Sequence, residues 1–367
     1  MRRVCVGVLL GFASLSHASD FPLSPAFKTL QHPQNDIAFT PHGGPLGAPS
    51  RSDVLSAIHN QSPVRDQSGR GTCSIFSATA ALEGLLVRAG YAMPGVNLSE
   101  EWLQYLTTQA QSAEGSSSAD NFMLLREWGQ PLEKSLPYGG QTWTSKSSGL
   151  ALRRCGYLKR GPKLRACLTS HRDPDLLRMN DEELLNPNEV YYDPEFVAAR
   201  KEALMARDAY LSRANAHDGI VTTVSEIHQL LAAGNPLTLD IDFFWGAWNY
   251  PGSTEKGILR SKEYWENGTI TYPEKGSVDR QYSKKHPESH SVVVVGYDDD
   301  VEVSYTMSMR NGKRQTFTRK GVYYFKNSWG TNTWGKNFQV NGQSFPGYGM
   351  ILQDNAHEFG EFYHLDL

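Results

Sequence analysis

The sequence predicts an α+β fold, with helices in its first part and antiparallel strands in its last third. Three patterns carry this. From Cys73 to Ala89, Ile75, Thr79, Leu82 and Leu86 share one helical stripe, and Phe76, Ala80 and Val87 share another. After Pro236, Leu237, Leu239 and Ile241 alternate with Thr238, Asp240 and Asp242, the period of a strand. Val301 to Lys320 alternates around Asn311-Gly312, a strong hairpin signal. Helices and strands segregated in this way pack as a helical lobe on a β lobe.

The chain has 367 residues, enough for two packed lobes. Arg2 and Arg3 precede an apolar run from Val4 to Leu15, and Ser16-His17-Ala18 supplies the small residues of a cleavage site. Residues 1–18 therefore read as a secretory signal, and the mature protein is expected outside the cell or in the periplasm. No later segment has the length and apolarity of a membrane span. Losing residues 1–18 removes two arginines and no acid, so a net charge of -3 becomes -5. That mild balance gives no reason to expect nucleic acid or an anionic membrane as partner. Residues 19–50 are rich in Pro, Gly and His, and read as an extended arm or a short pro-segment.

The remaining elements follow from local signals. Gly69 and Gly71 make a flexible approach to the Cys73 helix, which Gly90 ends. Asn97 to Gln109 is a second helix. Phe122 to Trp128 is a third, stopped by Gly129 and Pro131. Leu150 to Arg172 reads as a basic loop, either an exosite for acidic substrates or a solvated surface. Asp193-Pro194 opens a long helix, with an N-cap and Pro in first position. Thr223 and Glu226 form a capping box for a short helix ending at Gly234. Ser291 to Val295 and Gly321 to Lys326 are further strands.

Cysteine count singles out one residue. Cys5 leaves with the signal, so Cys73, Cys155 and Cys167 remain. An odd count in an oxidising compartment leaves one thiol over. Cys155 and Cys167 lie close in sequence, and pairing them closes a short ring, so Cys73 is the expected free thiol. It sits at a helix N-terminus, where unpaired N–H groups and the helix dipole favour a thiolate. Gln67 lies six residues before it across a glycine-rich bend, and its amide beside the Cys73 N–H is the donor pair an oxyanion hole needs. His290 enters a strand after a polar loop, at the lip of a cleft. Asn327 follows another strand, where its amide can fix the imidazole tautomer and Trp329 can shield that bond. None of the other histidines has a metal-ligand spacing.

Pro63-Val-Arg-Asp-Gln67 through Cys73-Ser-Ile-Phe-Ser-Ala78 resembles the nucleophile segment of papain-like cysteine peptidases. His290-Ser-Val-Val-Val-Val-Gly-Tyr-Asp298 resembles their histidine segment, and Asn327-Ser-Trp-Gly330 with Trp334-Gly335 their asparagine segment. Leu98-Ser-Glu-Glu101 and Phe345 to Ile351 are similar to a helix opening and to a closing barrel strand. The resemblance spans about residues 50–367, with large insertions between motifs. It implies a peptidase domain over residues 51–367. The helical lobe covers about 51–230, including an insertion over about 140–220, and the β lobe about 231–367. It implies Cys73, His290, Asn327 and Gln67 as catalytic residues, and Gly71, Ser117, Asp240, Ser289, Ser291 and Trp329 as substrate contacts. It further implies a peptide or protein substrate, no cofactor, a protein inhibitor as a conceivable partner, and a monomer. Asp240 and Ser291 would line the main side-chain pocket, giving a basic preference; the alternative places Asp240 on a solvated strand face.

The chain also departs from the family pattern. Arg70 stands where the family places a cysteine, and Ser74 where it places a tryptophan. Gly115-Ser-Ser-Ser118 replaces a Gly-Gly edge. Two other functions share these residues: a binding protein on the same fold, and an acyltransferase using the same thiol.

Overall fold

The computed structural model describes residues 49–147, 149–211 and 219–367. The expected signal and most of the arm, residues 1–48, lie outside the described residues.

Helices dominate the first half: α1 (Val54–His59), α2 (Cys73–Arg88), α3 (Glu100–Thr107), α4 (Ser118–Trp128), α5 (Gly149–Cys155), α6 (Pro162–Ser170), α7 (Asp181–Leu185) and α8 (Pro194–Ala206). After β1 (Gly219–Val221) and α9 (Val224–Ala232), the chain enters β2 (Leu237–Asp242). Next come α10 (Lys262–Glu266), β3 (Thr269–Ile270) and α11 (Val278–Lys285). Two long strands follow, β4 (Ser289–Ser308) and β5 (Arg314–Lys326), and then the small pair β6 (Gln339–Val340) and β7 (Gln343–Ser344). The chain closes with β8 (Tyr348–Leu352), α12 (Gln353–Phe359) and β9 (Gly360–His364). The main sheet runs β1-β9-β2-β4-β5-β8-β3, antiparallel except for β3 beside β8. The fold is α+β, helices on antiparallel sheet, as the sequence predicts.

Most boundaries follow the local signals. α2 is buried nearly all round and ends before Gly90, whose φ of 75° suits only glycine well. Asp193 caps α8 through Phe196 N, and Thr223 caps α9 through Glu226 N. The Asn311-Gly312 turn joins β4 to β5, with Met309 N donating to Lys313 O at 2.8 Å. α3 starts later than expected, because Ser99, not Asn97, supplies the cap. α4 starts earlier, at Ser118, because the Ser117 hydroxyl accepts from Asp120 N.

The basic stretch 150–172 is not a loop. It forms α5 and α6, clasped by the expected Cys155–Cys167 disulfide with both cysteines buried. Arg172 is buried rather than solvated: it pairs with Asp193 at 2.9 Å, while Arg154 pairs with Glu195 at 2.7 Å. Two of the basic charges are therefore spent internally.

Two apolar cores share β4. Val293 and Val295 face the core built on α1 to α4 and α8, whereas Val292 and Val294 face the core of the sheet. Strand alternation makes one element the wall between two lobes. A buried polar chain crosses the same wall. Lys326 Nζ on β5 donates to Ser62 Oγ at 2.8 Å, Ser62 donates to Glu83 on α2, and Glu83 accepts Leu98 N at 2.7 Å. Burial lowers the Lys326 ammonium to about 8 and raises the Glu83 carboxyl.

Candidate active site

Backbone pairing brings three segments together. Gln67 N donates to Ser328 O at 2.9 Å, and Gly330 N to Arg65 O at 3.1 Å, so the chain before Cys73 runs beside the chain after Asn327. β4 lies between β2 and β5, which puts His290 opposite Ile241 and close to the end of β5 that leads into Asn327. One turn beyond Cys73, Ser77 Oγ lies 2.6 Å from Ser291 Oγ, fastening α2 to the residue after His290. Gln67, Cys73, His290 and Asn327 thus converge where α2 meets the sheet.

The histidine geometry has a definite polarity. His290 Nε2 lies 2.8 Å from Asn327 Oδ1, which also accepts Ser328 N at 2.8 Å. An amide oxygen only accepts, so the ring proton is on Nε2. Nδ1 is then a lone pair, buried and without a hydrogen-bond partner. Trp329 lies over the ring at 4.6 Å between centroids, and Trp248 meets it edge-on at 5.2 Å. His290 is 1% exposed. Burial depresses its pKa to about 4, against a smaller upward pull from Asn327.

The expectation of a free thiol at Cys73 concerns the chain without residues 1–18, whereas the structure is that of the whole chain. In the whole chain the Cys73 sulfur is disulfide-bonded, and no cysteine among the described residues is free. Cys155 and Cys167 pair with each other. The odd count assumed that Cys5 had left; the whole chain carries four cysteines, an even number.

The helix end at Cys73 is open to charge. Thr72 is the N-cap but makes no side-chain capping bond; its hydroxyl is 2.7 Å from Tyr138 Oη instead. The first N–H groups of α2 therefore keep their positive potential for the sulfur. The Gln67 amide is held at both ends: Oε1 accepts Ser328 Oγ at 2.6 Å, and Nε2 donates to Arg70 O at 2.8 Å.

The expected substrate contacts fare differently. Trp329 lies against His290, and Ser289 is buried beside it on β4. Ser291 and Ser77 occupy each other. Gly71 N donates to Glu114 at 2.9 Å, and Ser117 caps α4 and also donates to Asp120 at 2.8 Å. Asp240 is neither a free pocket charge nor on a solvated strand face. Its carboxylate accepts Ser118 N at 2.8 Å and Ser118 Oγ at 2.7 Å, at the N-terminus of α4. Burial raises its pKa, and the Ser118 N–H partly offsets that. The carboxylate clasps α4 to β2. The supports missing from the sequence reading are Tyr138, Glu114 and Ser328. Ser328 lay within the Asn327 motif, while Tyr138 and Glu114 carry no local signal.

Among the described residues no group of His, Cys, Asp and Glu could hold a metal ion, and no helix is long and apolar enough to cross a membrane. The chain is similar in structure to xylellain, a cysteine protease from Xylella fastidiosa (TM-score 0.47, 14% identity), over 100% of this chain and 99% of that one. It is also similar to bromelain from Ananas comosus (TM-score 0.43, 16% identity), over 87% of this chain and 100% of that one. A third likeness is to the cysteine protease and lectin-like domains of Cwp84 of Clostridium difficile (TM-score 0.44, 14% identity), over 87% of this chain and 51% of that one. No protein-family model and no curated protein matches the chain.

Proposed function

We propose that the chain is an exported papain-like cysteine peptidase that hydrolyses peptide bonds through a thioacyl-enzyme on Cys73. The observation that carries this reading is the 2.8 Å bond from His290 Nε2 to Asn327 Oδ1, which leaves Nδ1 as a buried lone pair. The ring so held lies against Trp329, and His290 stands one residue before Ser291, which meets Ser77 on the helix that Cys73 opens; a base needs a lone pair of this kind.

In the active form the Cys73 sulfur is a thiol. Removal of residues 1–18 leaves three cysteines, of which Cys155 and Cys167 pair with each other. Nδ1 then accepts the thiol proton, giving a thiolate–imidazolium pair favoured by the open end of α2. The thiolate attacks the peptide carbonyl, and the Cys73 N–H and the Gln67 amide receive the oxyanion. For the amide this requires Nε2 to add or exchange its contact with Arg70 O. His290 passes its proton to the leaving amine, and water then releases the acyl group. Asn327 keeps the ring oriented through both steps, and Trp329 keeps water off the bond that does so. The substrate is a peptide or protein, and no cofactor takes part.

The test is turnover of unfolded protein substrates by reduced protein, compared with Cys73→Ser and His290→Ala. Cleavage that needs both residues supports the reading. Cleavage that survives either substitution, or none by folded reduced wild type, contradicts it.

A further inference from the structure

Arg70 is 1% exposed, three residues before Cys73, in a turn that two glycines leave without conformational preference of its own. Its guanidinium meets acceptors from four separate parts of the chain. Nε lies 2.5 Å from Glu114 Oε1, and Nη1 lies 2.9 Å from Glu101 Oε2 and 2.7 Å from Gly139 O. Nη2 lies 2.7 Å from Thr169 O, and the plane sits over Tyr138 at 4.9 Å. Burial alone would discourage this charge, but Glu101, Tyr138 and Glu114 overcome it and hold the pKa above its ordinary value.

Each of those partners returns to the turn. Glu114 Oε2 accepts Gly71 N at 2.9 Å. Tyr138 Oη donates to Gln67 O at 3.0 Å and lies 2.7 Å from Thr72 Oγ1. The Arg70 carbonyl itself holds the Gln67 amide. Residues 67, 70, 71 and 72 are therefore all tied, directly or through one side chain, to a single buried cation. Oxyanion donors work only within tight limits of distance and direction, so a turn built on Gly69 and Gly71 needs an external frame.

We propose that Arg70 is a positioning residue: with Glu114 and Tyr138 it freezes the 67–72 turn so that the Gln67 amide and the Cys73 N–H serve one oxygen. The frame also reaches the expected insertion through Thr169, which gives that segment a part in shaping the donors. This inference rests on the peptidase reading and adds the group that sets its oxyanion geometry.

The test separates donor geometry from thiol chemistry in the reduced full-length chain. Three quantities are measured: kcat and KM on a peptide amide, the affinity of a peptidyl aldehyde, and the rate of iodoacetamide alkylation at Cys73 mapped by mass spectrometry. The aldehyde adds to the sulfur and develops an oxyanion; iodoacetamide loses iodide at a saturated carbon and develops none. Arg70→Met is expected to lower kcat and aldehyde affinity roughly 100-fold, the scale of a lost oxyanion donor, with KM and the alkylation rate within about threefold of wild type. Should Arg70→Met not fold, Glu114→Gln decides. Glu114 is 19% exposed, so the site tolerates the change, and the amide keeps the shape while being unable to accept from both Arg70 and Gly71; the expected loss is about tenfold. Wild-type kcat and aldehyde affinity in a folded variant overturn the proposal. So does an alkylation rate that falls in step with turnover, because the thiol itself would then be damaged. A wild type that neither turns over nor alkylates at Cys73 overturns the peptidase reading, and this inference with it.

Discussion

At the scale of single residues, the proposed chemistry rests on a hydrogen bond with a defined acceptor. His290 donates from Nε2 because Asn327 offers an oxygen, and the same oxygen is steadied by Ser328 N. Asn327→Ala leaves the ring free to rotate and change tautomer, so kcat should fall by about 100-fold with little change in KM. Gln67→Ala removes one oxyanion donor, and a loss of similar size is expected in kcat. Steady-state kinetics on one peptide amide check both; a change confined to KM would contradict the assigned roles. The segments that carry Gln67, His290 and Asn327 could be read because each motif is contiguous in sequence. The setting of Asp240 could not. Its strand could be read, but its partner depends on where α4 begins, and Ser118 becomes the first helical residue only because Ser117 caps there.

At the scale of elements, the buried chain from Lys326 through Ser62 to Glu83 joins β5 to α2. Lys326→Met leaves the Glu83 carboxyl buried without its cation. A loss of about 3 kcal/mol is expected, with partial recovery in the double variant Lys326→Met, Glu83→Gln. Urea midpoints of Lys326→Met, Glu83→Gln and the double variant check this, and additive losses in the double variant would show that the pair is not coupled. α2, β2 and the β4–β5 hairpin could be read from periodicity because their apolar faces repeat. α5 and α6 could not: they are short, and their helical form depends on packing around the Cys155–Cys167 disulfide rather than on an apolar stripe. The ion pairs of Arg154 and Arg172 with Asp193 and Glu195 were hidden for the same reason, since a charge run looks solvated until its partners are placed.

At the scale of the whole molecule, burying neutral histidines makes stability depend on pH. Burial holds His290 near 4 and His357 near 3, and it lowers His228 as well. The unfolded chain takes up these protons near 6.5. Below that pH the unfolded state binds more protons than the folded one, so stability falls as pH drops from about 6.5 through 4 toward 3. Above 6.5 this contribution is complete and flat. Urea midpoints between pH 7 and pH 4 should fall, and His357→Gln should make the slope shallower. An unchanged slope in that variant would assign the acid sensitivity to carboxylates instead. The α+β order was legible in the sequence, from helical periods first and strand periods last. The use of β4 as a wall between two cores was not, because a run of valines does not say what lies on each side.

The central claim is that Cys73 becomes an activated thiol next to His290. Active-site labelling of the reduced protein tests it most directly: a peptidyl epoxide near pH 6, the adduct mapped by mass spectrometry, and His290→Ala as control. The predicted result is rapid modification at Cys73 alone, lost in His290→Ala. Modification of Cys73 at the same rate in both proteins, or none in folded protein whose Cys73 is shown to be reduced, would contradict the account.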